Sequence, residues 1–182
     1  MVIVSCRYDQ WFKRERTSNI DHFLYIFIDY IFTTFYWIEL IVVASLIDKL
    51  PNLGGMARTG EVFGVHTYVV DSLRHLQDKQ FQGLSMSAEK WVNIIEVRPG
   101  APLLDYLTSK RDEGFCLVAA EQTSTSVKDQ LSSLNEKDGV PCNLLPVMDH
   151  CIEIPQQGVV RSLNVHVTAA IFIWQYSSQN VL

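Results

Sequence analysis

The stretch Glu153-Ile154-Pro155-Gln156-Gln157-Gly158-Val159-Val160-Arg161-Ser162-Leu163-Asn164-Val165-His166-Val167-Thr168-Ala169-Ala170 decides how this chain is read. An apolar strand, Ile152 to Ile154, ends here. Gly158 turns the chain, and Ser162 and Asn164 open a long helix from Leu163 to Tyr176, because short polar side chains satisfy the free N–H groups of a first turn. Working outward, the same strand-then-helix order recurs. Ile38 to Ile47 reads as a buried β-branched strand, Asn52 to Phe63 as a glycine-opened helix, and His66 to Val70 as a second strand. Leu84 to Trp91 looks helical and Asn93 to Val97 is a short strand. Pro99-Gly100 then breaks the chain before a helix, Leu103 to Arg111, capped by Gly114, and Phe115 to Ala120 is another buried strand. Strands alternating with helices predict an α/β fold with a mainly parallel sheet and helices on both faces.

Residues 38–182 are expected to form one domain. The length of 182 residues suits a single unit, and 48% hydrophobic residues supply its core. Residues 1–37 are an amino-terminal extension of unknown role. A formal net charge of −5 excludes a protein that holds nucleic acid by bulk charge, so any such contact rests on a local cluster or on a partner. Cys6, Cys116, Cys142 and Cys151 show no CxxC pair, which favours free thiols in a reducing compartment, cytoplasmic or nuclear.

The run from Phe23 to Ile47 is long enough to span a bilayer and follows Arg7, Lys13, Arg14 and Arg16. Asp29 and Glu39 interrupt it, and a carboxylate at mid-bilayer costs roughly 2.5–3.5 kcal/mol. Its second part, from Ile38, is the first strand of the sheet. The remaining Phe23 to Trp37 is short for a span, and a cytosolic amphipathic helix is the preferred reading over a membrane anchor or disorder. No stable membrane association is expected.

Asn52 and Arg58 stand six residues apart, so a glycine-containing turn could present Asn52 while the following helix turns Arg58 toward the same cleft. A guanidinium there stabilises developing negative charge, binds phosphate or pairs with Glu61. The Gln156-Gln157-Gly158 loop lies between a strand end and the Ser162-Leu163-Asn164 helix start, where backbone groups receive a polar ligand; Ser162 is also a natural N-cap. Cys142, His150 and Cys151 lack an established zinc spacing, so no metal is expected. There is no GxSxG elbow around Ser162, and Gly54-Gly55 lacks the lysine of a phosphate-binding loop, which sets hydrolase and NTPase readings aside. Phe172, Trp174 and Tyr176 at helical spacing mark a core or subunit face.

Three segments occur in a fixed order: NLGGMARTGEVFG at 52–64, NEKDG at 135–139, and the stretch from Glu153. Together they resemble the motifs of the SpoU/TrmH branch of the SPOUT methyltransferases, nearest to the carboxy-terminal catalytic domain of its large eukaryotic tRNA (guanosine-2′-O-) members. The resemblance covers Ile38 to Tyr176. It implies a trefoil-knotted core, S-adenosylmethionine as cofactor, tRNA as partner, and transfer of a methyl group to the ribose 2′-hydroxyl of a D-loop guanosine. A homodimer formed through the last helix is also implied. By position, Arg58 would activate the hydroxyl with Asn52, Ser162 and Asn164 as the other catalytic residues. Leu134, Glu136, Gly139, Ile154, Gln157, Gly158 and Leu163 would hold the cofactor. Leu134 stands where the family has glycine, and Ser126 to Ser133 replaces the apolar strand expected before it. Those departures motivate an alternative, a catalytically silent RNA-binding or interaction module of the same fold.

Overall fold

A computed structural model describes residues 2–7, 39–120, 140–155, 157–159 and 163–180. Its elements are β1 (Val2–Arg7), β2 (Ile41–Val43), α1 (Leu50–Val62), β3 (Thr67–Val70), α2 (Lys79–Ser85), β4 (Asn93–Glu96), α3 (Ala101–Asp112), β5 (Phe115–Ala120), β6 (His150–Ile152) and α4 (Val165–Asn180), with short 3-10 turns at Leu73–Gln77, Ala88–Lys90 and Leu145–Val147. The six strands form one sheet in the order β4-β3-β2-β1-β5-β6. β2 with β3, β3 with β4, and β5 with β6 are parallel, whereas β1 runs antiparallel to both of its neighbours. The mainly parallel sheet expected from the sequence is therefore present.

The inner strands owe their place to composition. β2, β3 and β5 are buried along their whole described length, as apolar runs covered on both faces must be, and the edge strands β4 and β6 are only partly covered. Alternate residues feed two cores. Val42, Tyr68, Val70, Cys116 and Val118 pack with Leu53, Met56, Phe81, Ile173 and Tyr176 from α1, α2 and α4. Ile41, Val43, Val69, Leu117 and Ala119 pack on the other face with Leu103 and Leu107 of α3 and with Val140 and Leu144.

Several boundaries differ from the sequence reading. The first strand was expected over Ile38 to Ile47, but it is confined to Ile41–Val43 because Ile47 N–H turns back onto the Ala44 carbonyl at 2.9 Å. The helix expected over Leu84 to Trp91 starts and stops earlier. Asp78 caps it by accepting from Gln80 N–H at 2.7 Å, and Met86 and Ser87 leave it with φ of 50° and 71°, which ends the regular helix. The last strand sits at His150–Ile152 and not Ile152 to Ile154. Asp149 fixes this register: its N–H donates to the Leu117 carbonyl and its carboxylate accepts from Leu117 N–H, both at 2.8 Å. Gly114, with φ of 91°, does end α3 as expected.

The amino-terminal extension shows a strand of its own. Val2–Arg7 pairs along its full length with β5, from Val2 opposite Ala120 to Arg7 opposite Phe115, and fills the slot between β5 and β2. Phe23 to Trp37 and the Ser126 to Ser133 segment lie outside the described residues. Among the described residues, no helix is long and apolar enough to cross a membrane.

Gly54 and Gly55 lie inside α1, not in a turn before it, and each makes room for a neighbour. A Cβ on Gly54 would overlap the carbonyl oxygen of Phe81 in α2, a backbone atom that cannot swing aside. Gly54→Ala is expected to lower stability by about 1–2 kcal/mol, since a clash with a backbone atom falls in the upper part, about 2–3 kcal/mol, of the usual overpacking cost and alanine's helical advantage recovers about 1. Urea unfolding measures this; an unchanged or higher midpoint would show that α1 and α2 do not meet at Gly54.

Candidate active site

The site grows from the start of α1, which follows the carboxyl end of β2, and from the start of α4. Pro51 in the first turn of α1 gives up an N–H that would have no helical partner there. Tyr68 of β3 donates its hydroxyl to the Leu53 carbonyl at 3.1 Å, and burial, with the nearby Asp71 charge adding, holds that phenol well above its usual range. It remains a neutral donor that ties α1 to the sheet.

Asn164 caps α4. Its Oδ1 accepts from the backbone N–H of His166 at 2.8 Å, and its Nδ2 donates to Asn52 Oδ1 at 3.0 Å. The orientation of both amides follows from this chain of bonds. A backbone N–H only donates, so it must face the oxygen of Asn164; the amino group of Asn164 then faces the oxygen of Asn52. The amino group of Asn52 is left without a partner among the described residues. Two segments 112 residues apart thus present one free amide donor at an exposed rim.

Arg58 is on α1 as well, exposed, and no carboxylate among the described residues pairs with it, Glu61 included. Six residues along one helix separate side chains by about 120° around the axis and about 9 Å along it. The glycine turn expected to bring Asn52 and Arg58 onto one face is absent, because α1 is continuous through Gly54 and Gly55. The face of α1 that Asn52 shares is instead continued by Gly55 and Thr59, and it meets α4. Thr59 Oγ1 donates to the Gly55 carbonyl at 3.1 Å and lies 3.0 Å from His166 Nε2. The His166 ring sits directly on Gly55: a Cβ there would be 2.5 Å from both Cε1 and Nδ1. Burial pushes the His166 pKa down, with the Gly55 carbonyl acting in the other direction, so the ring favours its neutral form. Sequence reasoning passed over Thr59 and His166. The only local hint was a glycine one helical turn before a threonine, which has no meaning until α4 is laid against it.

Of the residues expected to hold a cofactor, Ile154 is half-buried after β6, while Gln157, Gly158 and Leu163 are exposed, with Val159 at 97% exposure between them. Leu134, Glu136, Gly139 and Ser162 lie outside the described residues. Among the described residues no cluster of His, Cys, Asp and Glu could hold a metal ion.

The chain belongs to the SpoU rRNA Methylase family, which matches residues 39–174. It is 51% identical over 153 residues to the mouse tRNA (guanosine(18)-2′-O)-methyltransferase TARBP1, an alignment covering 79% of this chain and 10% of that protein. It is 35% identical to the tRNA (guanosine(18)-2′-O)-methyltransferase of Saccharomyces cerevisiae, covering 79% of this chain and 11% of the other. The chain thus spans about a tenth of the length of these relatives. Among solved structures, an RNA 2′-O ribose methyltransferase superimposes with a TM-score of 0.64 at 23% identity over 79% of this chain and 57% of that one. The Aquifex aeolicus TrmH/SpoU tRNA modifying enzyme gives 0.57 at 23% identity over 73% and 71%. These likenesses establish the fold.

Proposed function

We propose that this chain transfers a methyl group from S-adenosylmethionine to the ribose 2′-hydroxyl of a guanosine in the D-loop of tRNA. The observation that carries the reading is the Asn52–Asn164 hydrogen bond, which joins the first and last family motifs at an exposed rim; Arg58, without a carboxylate partner among the described residues, stands further along the same helix. The 51% identity to a tRNA guanosine methyltransferase supports the choice of substrate. The named relatives are transferases, and they lend no support to a catalytically silent module.

The described residues after β6 fit the cofactor. Leu163 and Val159 offer exposed apolar side chains to an adenine ring, and the loop around Gly158 has open space beside its Cα. When bound, S-adenosylmethionine supplies an electrophilic methyl on a sulfonium. Leu134, Glu136, Gly139, Ile154, Gln157 and Gly158 belong to this proposed pocket, and Ser162 to the catalytic group. Arg58 stabilises the oxyanion that develops as the 2′-hydroxyl attacks, since a guanidinium stays charged at any working pH. The free amino group of Asn52 donates to the ribose or its phosphate and orients it.

The proposal includes a C-terminal trefoil knot and a homodimer through α4. Leu163, Val167, Ile171 and Trp174 recur at helical spacing and are each 39–50% exposed, an apolar stripe on the side of α4 turned away from Ala169, Ile173 and Tyr176. A second copy of this stripe is the proposed cover. A cytoplasmic or nuclear setting follows from a tRNA substrate.

Incubation with methyl-labelled S-adenosylmethionine and total tRNA tests the reading. Label is expected in tRNA, at a D-loop guanosine ribose on mapping. Label on a base, or cofactor binding with no transfer, would overturn it.

A further inference from the structure

We infer that His166 is a positioning residue for this reaction: its imidazole, seated on Gly55 and hydrogen-bonded to Thr59, locks α1 against the start of α4 and so holds Asn52 on Asn164 and fixes where α1 carries Arg58. The inference rests on the proposed methyl transfer. Three contacts converge on this one residue, and a fourth bond continues from it to Asn52. Its backbone N–H fixes the Asn164 amide at 2.8 Å, and that amide holds Asn52 at 3.0 Å. Its Nε2 meets Thr59 Oγ1 at 3.0 Å, one residue from Arg58. Its ring occupies the space that any side chain at position 55 would need.

The His166 ring and the Thr59 hydroxyl both meet the Gly55 carbonyl, and the 3.0 Å contact between Thr59 Oγ1 and His166 Nε2 is a hydrogen bond in either imidazole tautomer, the hydroxyl serving as acceptor or donor. A leucine of similar bulk would fill the space and leave that hydroxyl without its imidazole partner. The bond bears on geometry because, together with the Asn164–Asn52 bond, it sets how the start of α4 lies on α1. A small slip would part Asn52 from Asn164 and carry Arg58 away from the ribose, and misplacement of order 1 Å is enough to cost about 100-fold.

His166→Ala, His166→Gln and Thr59→Val, each checked for fold by circular dichroism, test this by steady-state methyl transfer. His166→Ala is expected to lower kcat by about 10–100-fold with KM for S-adenosylmethionine little changed. His166→Gln, whose amide can hydrogen-bond where Nε2 does, recovers most of the loss, and Thr59→Val lowers kcat as His166→Ala does with no further loss in the double variant. Two results overturn the inference: a folded His166→Ala with parental kcat, or Ala and Gln variants equally impaired, which would mean that bulk alone matters. If the parent chain transfers no methyl, the proposed function fails, and nitrogen-15 shifts of the His166 ring then judge the geometry. An Nε2 shift that moves in Thr59→Val supports the lock; an Nε2 shift that Thr59→Val leaves unchanged sinks it.

Discussion

Arg58→Ala is expected to reduce methyl transfer to tRNA by roughly 10²–10³-fold, the usual consequence of losing one donor aimed at a developing oxyanion. Binding and chemistry should separate. Affinity for S-adenosylmethionine, measured by calorimetry, should stay near the parental value because Arg58 lies on α1 and none of the proposed cofactor residues does. The fold should be unaffected, since Arg58 is exposed and has no carboxylate partner among the described residues. Arg58→Lys should recover little, because an ammonium cannot offer two parallel N–H bonds to a ribose and its phosphate. A variant with most of its activity intact would remove Arg58 from the chemistry and leave Asn52 as the better candidate on α1.

Trp174→Glu is expected to convert a dimer into monomers in light scattering. Trp174 is 50% exposed within the stripe of Leu163, Val167 and Ile171, so a charge there does not enter the core of one copy but would be buried between two. An unpaired buried charge costs about 3–5 kcal/mol, and a two-fold interface meets it twice. On a dimer held at micromolar strength, a loss of that size is a shift of about ten-thousandfold or more in dissociation constant. Tyr176 and Ile173, buried against α1 and the sheet, would keep α4 docked, so the thermal transition should persist while the mass halves. An unchanged mass with the fold intact would show that the stripe is covered by something other than a second copy.

Much of this architecture was legible in the residues. The apolar run FCLVAA could only be a strand covered on both faces, and it is β5 without a residue gained or lost. NLGGMARTGEVFG and SLN, met in that order, were enough to name the family and to single out Asn52, Arg58 and Asn164. Local chemistry decides such things: an apolar period selects strand or helix, and an asparagine before an apolar helix is a cap wherever it occurs. What lies between distant segments could not be read. VIVSCR has the composition of a strand, yet its place between β2 and β5, antiparallel to both, depends on backbone groups of residues 41–43 and 115–120 being left unpaired. Gly54 and Gly55 looked like a turn because glycine breaks helices on its own; only the approach of the Phe81 carbonyl and the His166 ring makes a missing side chain the better choice inside α1. The sequence by itself determined which residue types meet the chemistry. Which of them touch, and that His166 and Thr59 join them, was decided by the packing of α4 on α1, because a hydrogen bond across 107 residues has no trace in either local sequence.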